Sequence, residues 1–151
     1  MPAPTIAAEV PGSYMARSTL GQVNKIAATA LAKGVLVELN TTNDNFQLST
    51  AGAPVAGTYY VTNKAALAAD TKVLVVKKGP VCVVATGAIG PHNPVARSTT
   101  VAGRVSEAAA GSAGVCGKYI GKANGNEHDG QVLTAAADGE AIWIDLNGGT
   151  N

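Results

Sequence analysis

Residues 72–105 read KVLVVKKGPVCVVATGAIGPHNPVARSTTVAGRV, and the alternation in this stretch between β-branched runs and turn chemistry decides the fold class. The segments Lys72–Lys77, Val81–Thr86, Val95–Thr99 and Val101–Ser106 are short and rich in valine and threonine. KKGP and IGPHNP, with their Gly and Pro residues, read as the turns between them. VLVV and VCVV carry apolar residues at successive positions, so these strands would be covered on both faces and central in their sheet.

Working outward, the same grammar continues in both directions. Upstream lie Val35–Leu39, Phe46–Ser49 and Thr58–Thr62; downstream lie Val115–Ile120, Gln131–Ala135 and Ala141–Leu146. NTTNDN, AGAPVAG, GKANGNEHDG and ADGE separate them. In the last run Ile142, Ile144 and Leu146 alternate with Ala141, Trp143 and Asp145, the pattern of a strand with one committed face. Two helices are predicted, both short. One runs from Leu20 to Lys33 on the spacing of Leu20, Val23, Ile26, Ala27, Ala30 and Leu31, weakened by Thr29 and Gly34. The other runs from Lys64 to Ala69 behind Asn63 as cap. The prediction is a mainly β fold: a small β-sandwich or barrel-like domain with at most one or two short helices. Pro2, Pro4 and Pro11 make residues 1–12 an extended N-terminal arm, residues 13–146 form one domain, and residues 147–151 are a flexible tail.

Composition narrows the function classes. The chain has 151 residues, enough for one domain with its own core. It is 46% hydrophobic, yet only 4% of residues are aromatic, so its core is built from small side chains. Charged residues make up 14%, against a usual share of about 25%, and the net charge is +1. A nucleic-acid footprint is therefore not expected. No run approaches the roughly 20 apolar residues of a membrane helix, and MPAPTIAAEVPG lacks the basic start of a signal peptide, so neither membrane insertion nor secretion is expected. Residues 1–122 hold all 11 basic side chains and 5 acidic ones; residues 123–151 hold 5 acidic and no basic ones. This asymmetry suits either a dipolar subunit docking head to tail or, the preferred reading, an acidic end folded beside Lys77, Lys78 or Arg104 of its own subunit.

No motif for catalysis, cofactor or metal emerges. GSAGVCGKY misses the phosphate-binding loop, because five residues separate Gly111 from Gly117 and Tyr119 rather than Ser or Thr follows Lys118. NGNEHDG misses the calcium loop, since counting from Asn124 puts Asp129 and Ala135 where Gly and Glu are required. His92 has no Cys or His at ligand spacing, and no GxSxG elbow occurs. Cys82 and Cys116 lie in apolar runs and read as packed free thiols, with a cross-strand disulfide as the alternative. Asn40-Thr41-Thr42 matches a glycosylation sequon, which is expected to have no consequence because secretion is not expected. An enzyme is the least supported class. The scarce aromatics Tyr59, Tyr60 and Trp143 suit subunit or partner contacts, with ordinary core packing as the other reading.

Two stretches, KKGPVCVVATGAIGPHNPVARSTTVAGRVSEA (77–108) and AGVCGKYIGKANGNEHDGQVLTAAADGEAIWIDL (113–146), resemble the capsid decoration, or cement, proteins of tailed bacteriophages. The features carrying the likeness are Gly79, Gly87, Gly103-Arg104-Val105, Val115 to Lys118, Asp129-Gly130 and Ile142 to Leu146. GVLVELN and GTYYV fit the same style earlier in the chain. The resemblance implies a homo-oligomer, a trimer in preference to a dimer, seated on the outer capsid surface of the virion. It would span junctions between subunits of the major capsid protein, with no cofactor, after synthesis in the bacterial host cytoplasm. With it, the three arm prolines and the three aromatics become candidate capsid or subunit contacts. A β-sandwich module recognising a carbohydrate or host surface, through Tyr59-Tyr60 and the Asn43–Asn45 loop, is the competing expectation.

Overall fold

The computed structural model of the protein describes residues 10–15, 18–20, 27–40, 42, 45–65, 68–123 and 133–147. Among them are nine strands and no helix: β1 (Thr19–Leu20), β2 (Leu36–Leu39), β3 (Phe46–Leu48), β4 (Tyr59–Thr62), β5 (Val75–Val84), β6 (Pro94–Arg97), β7 (Val105–Glu107), β8 (Gly117–Lys122) and β9 (Ala141–Leu146). All strand pairs are antiparallel, in the order β3-β2-β4-β5-β9-β8-β6-β7, with β1 added to β5. The sheet curls into a half-barrel, the mainly β, barrel-like fold expected from the sequence.

β5 is the spine. Its first residues pair with β4, Val61 opposite Val76, and its last six pair with β9, from Gly79 opposite Leu146 to Val84 opposite Ala141. KKGP, read above as a turn, lies inside this single ten-residue strand. Gly79, at φ 93°, redirects the strand without reversing it, a bend that suits the corner of a curled sheet. The valine runs on either side are buried, as their two-faced apolar pattern requires.

The pleat then distributes the core. Val81 and Val83, with Ile142, Ile144 and Leu146, point into the main cluster, joined by Leu36, Tyr59, Val61, Val95, Val105 and Tyr119. Cys82 and Trp143, paired in register, belong to a separate small cluster with Ala123, flanked by Ile120 and Ala141. A third cluster gathers Ala27, Leu31, Val37, Phe46, Val73 and Val75.

Neither expected helix forms among the described residues. Ala27 and Leu31, whose spacing suggested one, are buried in that third cluster, and the Ala27 and Ala28 amides donate to the carbonyls of Thr71 and Phe46. Long-range pairing wins over a sequence carrying Thr29 and Gly34, in which an isolated helix gains little. The Asn63 amide donates to Leu74 instead of opening a helix, and Asp70 adopts φ 64° in the turn that follows. Residues 21–26 and 66–67 of those two segments lie outside the described residues. Of Gln131–Ala135, residues 133–135 are not strand; the pairing falls one residue later, Ala136 bridging Ile89.

Both ends of the sheet are covered. Ala27 bridges Phe46 beside β3, and the Thr86 amide donates to Val105 beside β7. The loop between β6 and β7 then reaches the other end of the sheet: Leu36 N donates to Gly103 O (2.7 Å), and Gly52 N to Ser98 O (3.0 Å). These bonds draw the two ends together and, among the described residues, leave no long bare edge for an unrelated strand to join.

Candidate functional site

The six candidate contact residues are not brought together. Pro2 and Pro4 lie outside the described residues. Pro11 sits in a turn against Gly34, where a Cβ would overlap the Pro11 backbone; the next residue, Gly12, donates its amide to Cys82 O at 2.7 Å. Gly12, at the end of the stretch expected to be an extended arm, is thus already bonded to the sheet, and the Tyr14–Val81 bridge and β1 follow it.

Tyr59 is a core residue, 1% exposed, with its hydroxyl donating to Val55 O at 3.0 Å. Burial, and then the charge of Glu38, hold its pKa above the ordinary value, against a smaller opposing effect of Arg97. Tyr60 is half-buried, edge-on to Phe46, with the Lys77 ammonium 6.0 Å from its ring centroid. Trp143 is 7% exposed, packed beside Cys82 and Ala123. For Tyr59 and Trp143, then, the packing reading describes the subunit. Tyr119, which the sequence does not single out, is the other fully buried tyrosine, its hydroxyl donating to Thr134 O.

The cysteines are free and buried. Cys116 Sγ faces Val95 O at 3.6 Å, and burial pushes the thiol up to about 12. Neither cysteine resembles the exposed, electropositive setting of a reactive thiolate. Among the described residues no group of three or more His, Cys, Asp or Glu side chains could hold a metal ion. Among them, too, no helix is long and apolar enough to cross a membrane. The NGNEHDG loop lies outside the described residues.

The acidic end of the chain finds local partners. Glu140 pairs with Lys122 at 3.4 Å, and Asp138 accepts the Gly87 amide at 2.9 Å. These are different partners from the Lys77, Lys78 and Arg104 of the sequence reading; Glu127 and Asp129 lie outside the described residues. Glu107 clamps the GPHNP loop, accepting from Gly90 N (3.0 Å) and Asn93 Nδ2 (2.7 Å), and His92 at its tip takes φ 60°.

Two hollows open on the surface. One, of about 460 Å³, is lined by Lys78, His92, Pro94, Val115, Lys118 and Asp145, with Leu146 and Asn147 at one side. The other, of about 360 Å³, is polar: Glu38 accepts from Gln47 Nε2 and Thr50 Oγ1, Asn40 Nδ2 donates to Gln47 Oε1, and Arg97 stands opposite with Nε donating to Ala53 O. Neither was visible in the sequence, because each gathers residues from strands remote in the chain.

The folded chain belongs to the class of curled antiparallel half-barrels, and it shares this fold with components of bacteriophage heads. It is similar to the N base of the head fiber gp8.5 of bacteriophage phi29 (TM-score 0.55, 15% identity, 89% of this chain and 96% of the other). It is also similar to a chain of the capsid of Myoviridae phage XM1 (TM-score 0.58, 12% identity, 94% of this chain and 92% of the other). No family model and no curated protein matches the chain in sequence. The likeness to these two phage-head structures is one of fold.

Proposed function

We propose that the protein is a structural component of a bacteriophage virion that binds the outer surface of the capsid and stabilises it by bridging neighbouring major capsid protein subunits. The observation that carries this reading is the likeness of fold, over about nine-tenths of the chain, to two structures from phage heads. A shell component works by repetition: weak contacts multiplied around an oligomer become strong through effective concentration.

A homotrimer is the preferred assembly. Tyr14, Met15 and Leu20 expose apolar surface along the segment that includes β1, surface of the kind an associating subunit would cover. The core of Val and Ala also gains less per residue than an aromatic core would, so association would add to subunit stability. The test is to mix purified protein with capsids lacking it and sediment the mixture. Saturable co-sedimentation, with slower capsid disruption on heating, is expected. Protein left in the supernatant at all ratios would refute the role.

The polar cleft of Glu38, Asn40, Gln47 and Arg97 favours one second reading, recognition of a carbohydrate or host surface. Tyr59 borders that cleft but is buried, so its ring offers no stacking face for a sugar. Silence on a glycan array would remove this reading.

A further inference from the structure

The 460 Å³ hollow combines features that point to a particular ligand chemistry. Its walls include Pro94 and Val115, which are apolar and half-buried, while the Leu146 side chain beside them turns into the core. Around them stand the Lys78 and Lys118 ammonium groups and the His92 ring, from three separate parts of the chain. All three side chains are exposed, and none makes an ion pair or side-chain hydrogen bond among the described residues. Asp145, opposite Lys118 in the β8–β9 register, is the sole carboxylate of the lining, and it has no ion pair with either lysine.

The frame is rigid. Lys118 and Asp145 are on paired strands, Lys78 is on the spine strand β5, and His92 is held in an uncommon left-handed conformation by the loop that Glu107 clamps. Asn147 closes one side, its amide donating to Cys116 O at 2.8 Å and its Nδ2 to Val115 O at 2.9 Å. Among the described residues of the lining, two lysines and an imidazole outnumber one carboxylate, so the hollow favours an anionic group. The apolar walls favour one carried on an apolar-flanked chain.

We propose that this hollow is a docking site for an acidic peptide segment of the capsid surface, its carboxylates meeting Lys78 and Lys118, its apolar side chain lying against Pro94 and Val115, and a backbone N–H donating to Asp145. This rests on the capsid-binding reading above and adds the contact surface. A nucleic-acid backbone fits less well, since it needs a continued basic stripe and the charge here is confined to one hollow.

The test has two arms. In the first, the isolated 15N-labelled protein is titrated with a blocked Glu-Leu-Glu tripeptide, its Gln-Leu-Gln counterpart, and inorganic phosphate. Shifts of the Val115, Gly117, Lys118 and Asn147 amides with the acidic peptide, absent with the glutamine peptide and weakened about tenfold in the exposed double variant K78E/K118E, support the site. Shifts elsewhere, or none, overturn it. Equal response to phosphate and peptide would reduce it to a small-anion site and overturn the peptide reading. In the second arm, capsid occupancy is measured for the wild type and K78E/K118E. Loss of occupancy in the folded variant supports the proposal; unchanged occupancy overturns it. Wild-type protein that binds the acidic peptide but no capsid would refute the capsid role and, with it, the capsid-borne identity of the segment, while leaving the hollow as an acidic-peptide site.

Discussion

Trp143 carries more of the stability than any exposed aromatic could. With 7% of its surface accessible and Cys82 in register beside it, replacement by Ala empties a buried volume. The expected cost is about 3 kcal/mol or more in urea unfolding, the range for truncating a buried large aromatic. A cost under about 1 kcal/mol would mean that Trp143 is an interface residue after all. Cys116 makes a second prediction. Its thiol titrates at 9.0 when unfolded and at about 12 when folded, so above pH 9 the unfolded chain releases a proton that the folded chain retains. Stability is therefore fully present below pH 9 and declines as pH rises toward 12, at about 1.4 kcal/mol per pH unit for this one group. Tyr59, also raised, acts in the same direction. Urea unfolding at a series of pH values should show the decline in wild type and a shallower one in C116A; parallel profiles would contradict the assignment.

At the scale of elements, one buried hydroxyl fastens a segment to its strand. Thr62 in β4 is fully buried, donating to Ala32 O at 2.7 Å and accepting from Val35 N at 3.1 Å. Thr62→Val preserves shape but strands both backbone groups, and a loss of about 2 kcal/mol in thermal or urea unfolding is expected. A neutral result would mean that water reaches these groups. Legibility from sequence also varies by element. β9 was predicted residue for residue, because Ile142, Ile144 and Leu146 alternate without interruption and the strand is bounded by turn chemistry. β5 was split in two because Gly79-Pro80 has the local chemistry of a turn, and only pairing with β4, β1 and β9 keeps the chain extended through it. β1 escapes a sequence reading for a related reason: Leu20 also opens a helical spacing, and the strand's pairing comes from Lys78 and Val76, more than fifty residues away.

For the whole molecule, the curled sheet binds its own ends together through the loop of Ser98 and Gly103, and surface hollows lined by the described residues offer places for contact. The fold class was legible in spacing and composition, since many short valine-rich runs between turn residues have few other architectures open to them. The candidate contact surface was not. Lys78, His92, Lys118 and Asp145 share no local motif and meet only through the register of β8 with β9 and the course of β5. Of the three aromatics offered as contacts, Tyr59 and Trp143 are buried within the subunit and Tyr60 is half-buried, because a core of small side chains takes large ones inside where it can. The most direct test of the capsid role is quantitative mass spectrometry of gradient-purified particles from the lysate in which the chain is made. The account predicts copies of the protein on the same order as copies of the major capsid protein; absence from the particles would contradict it.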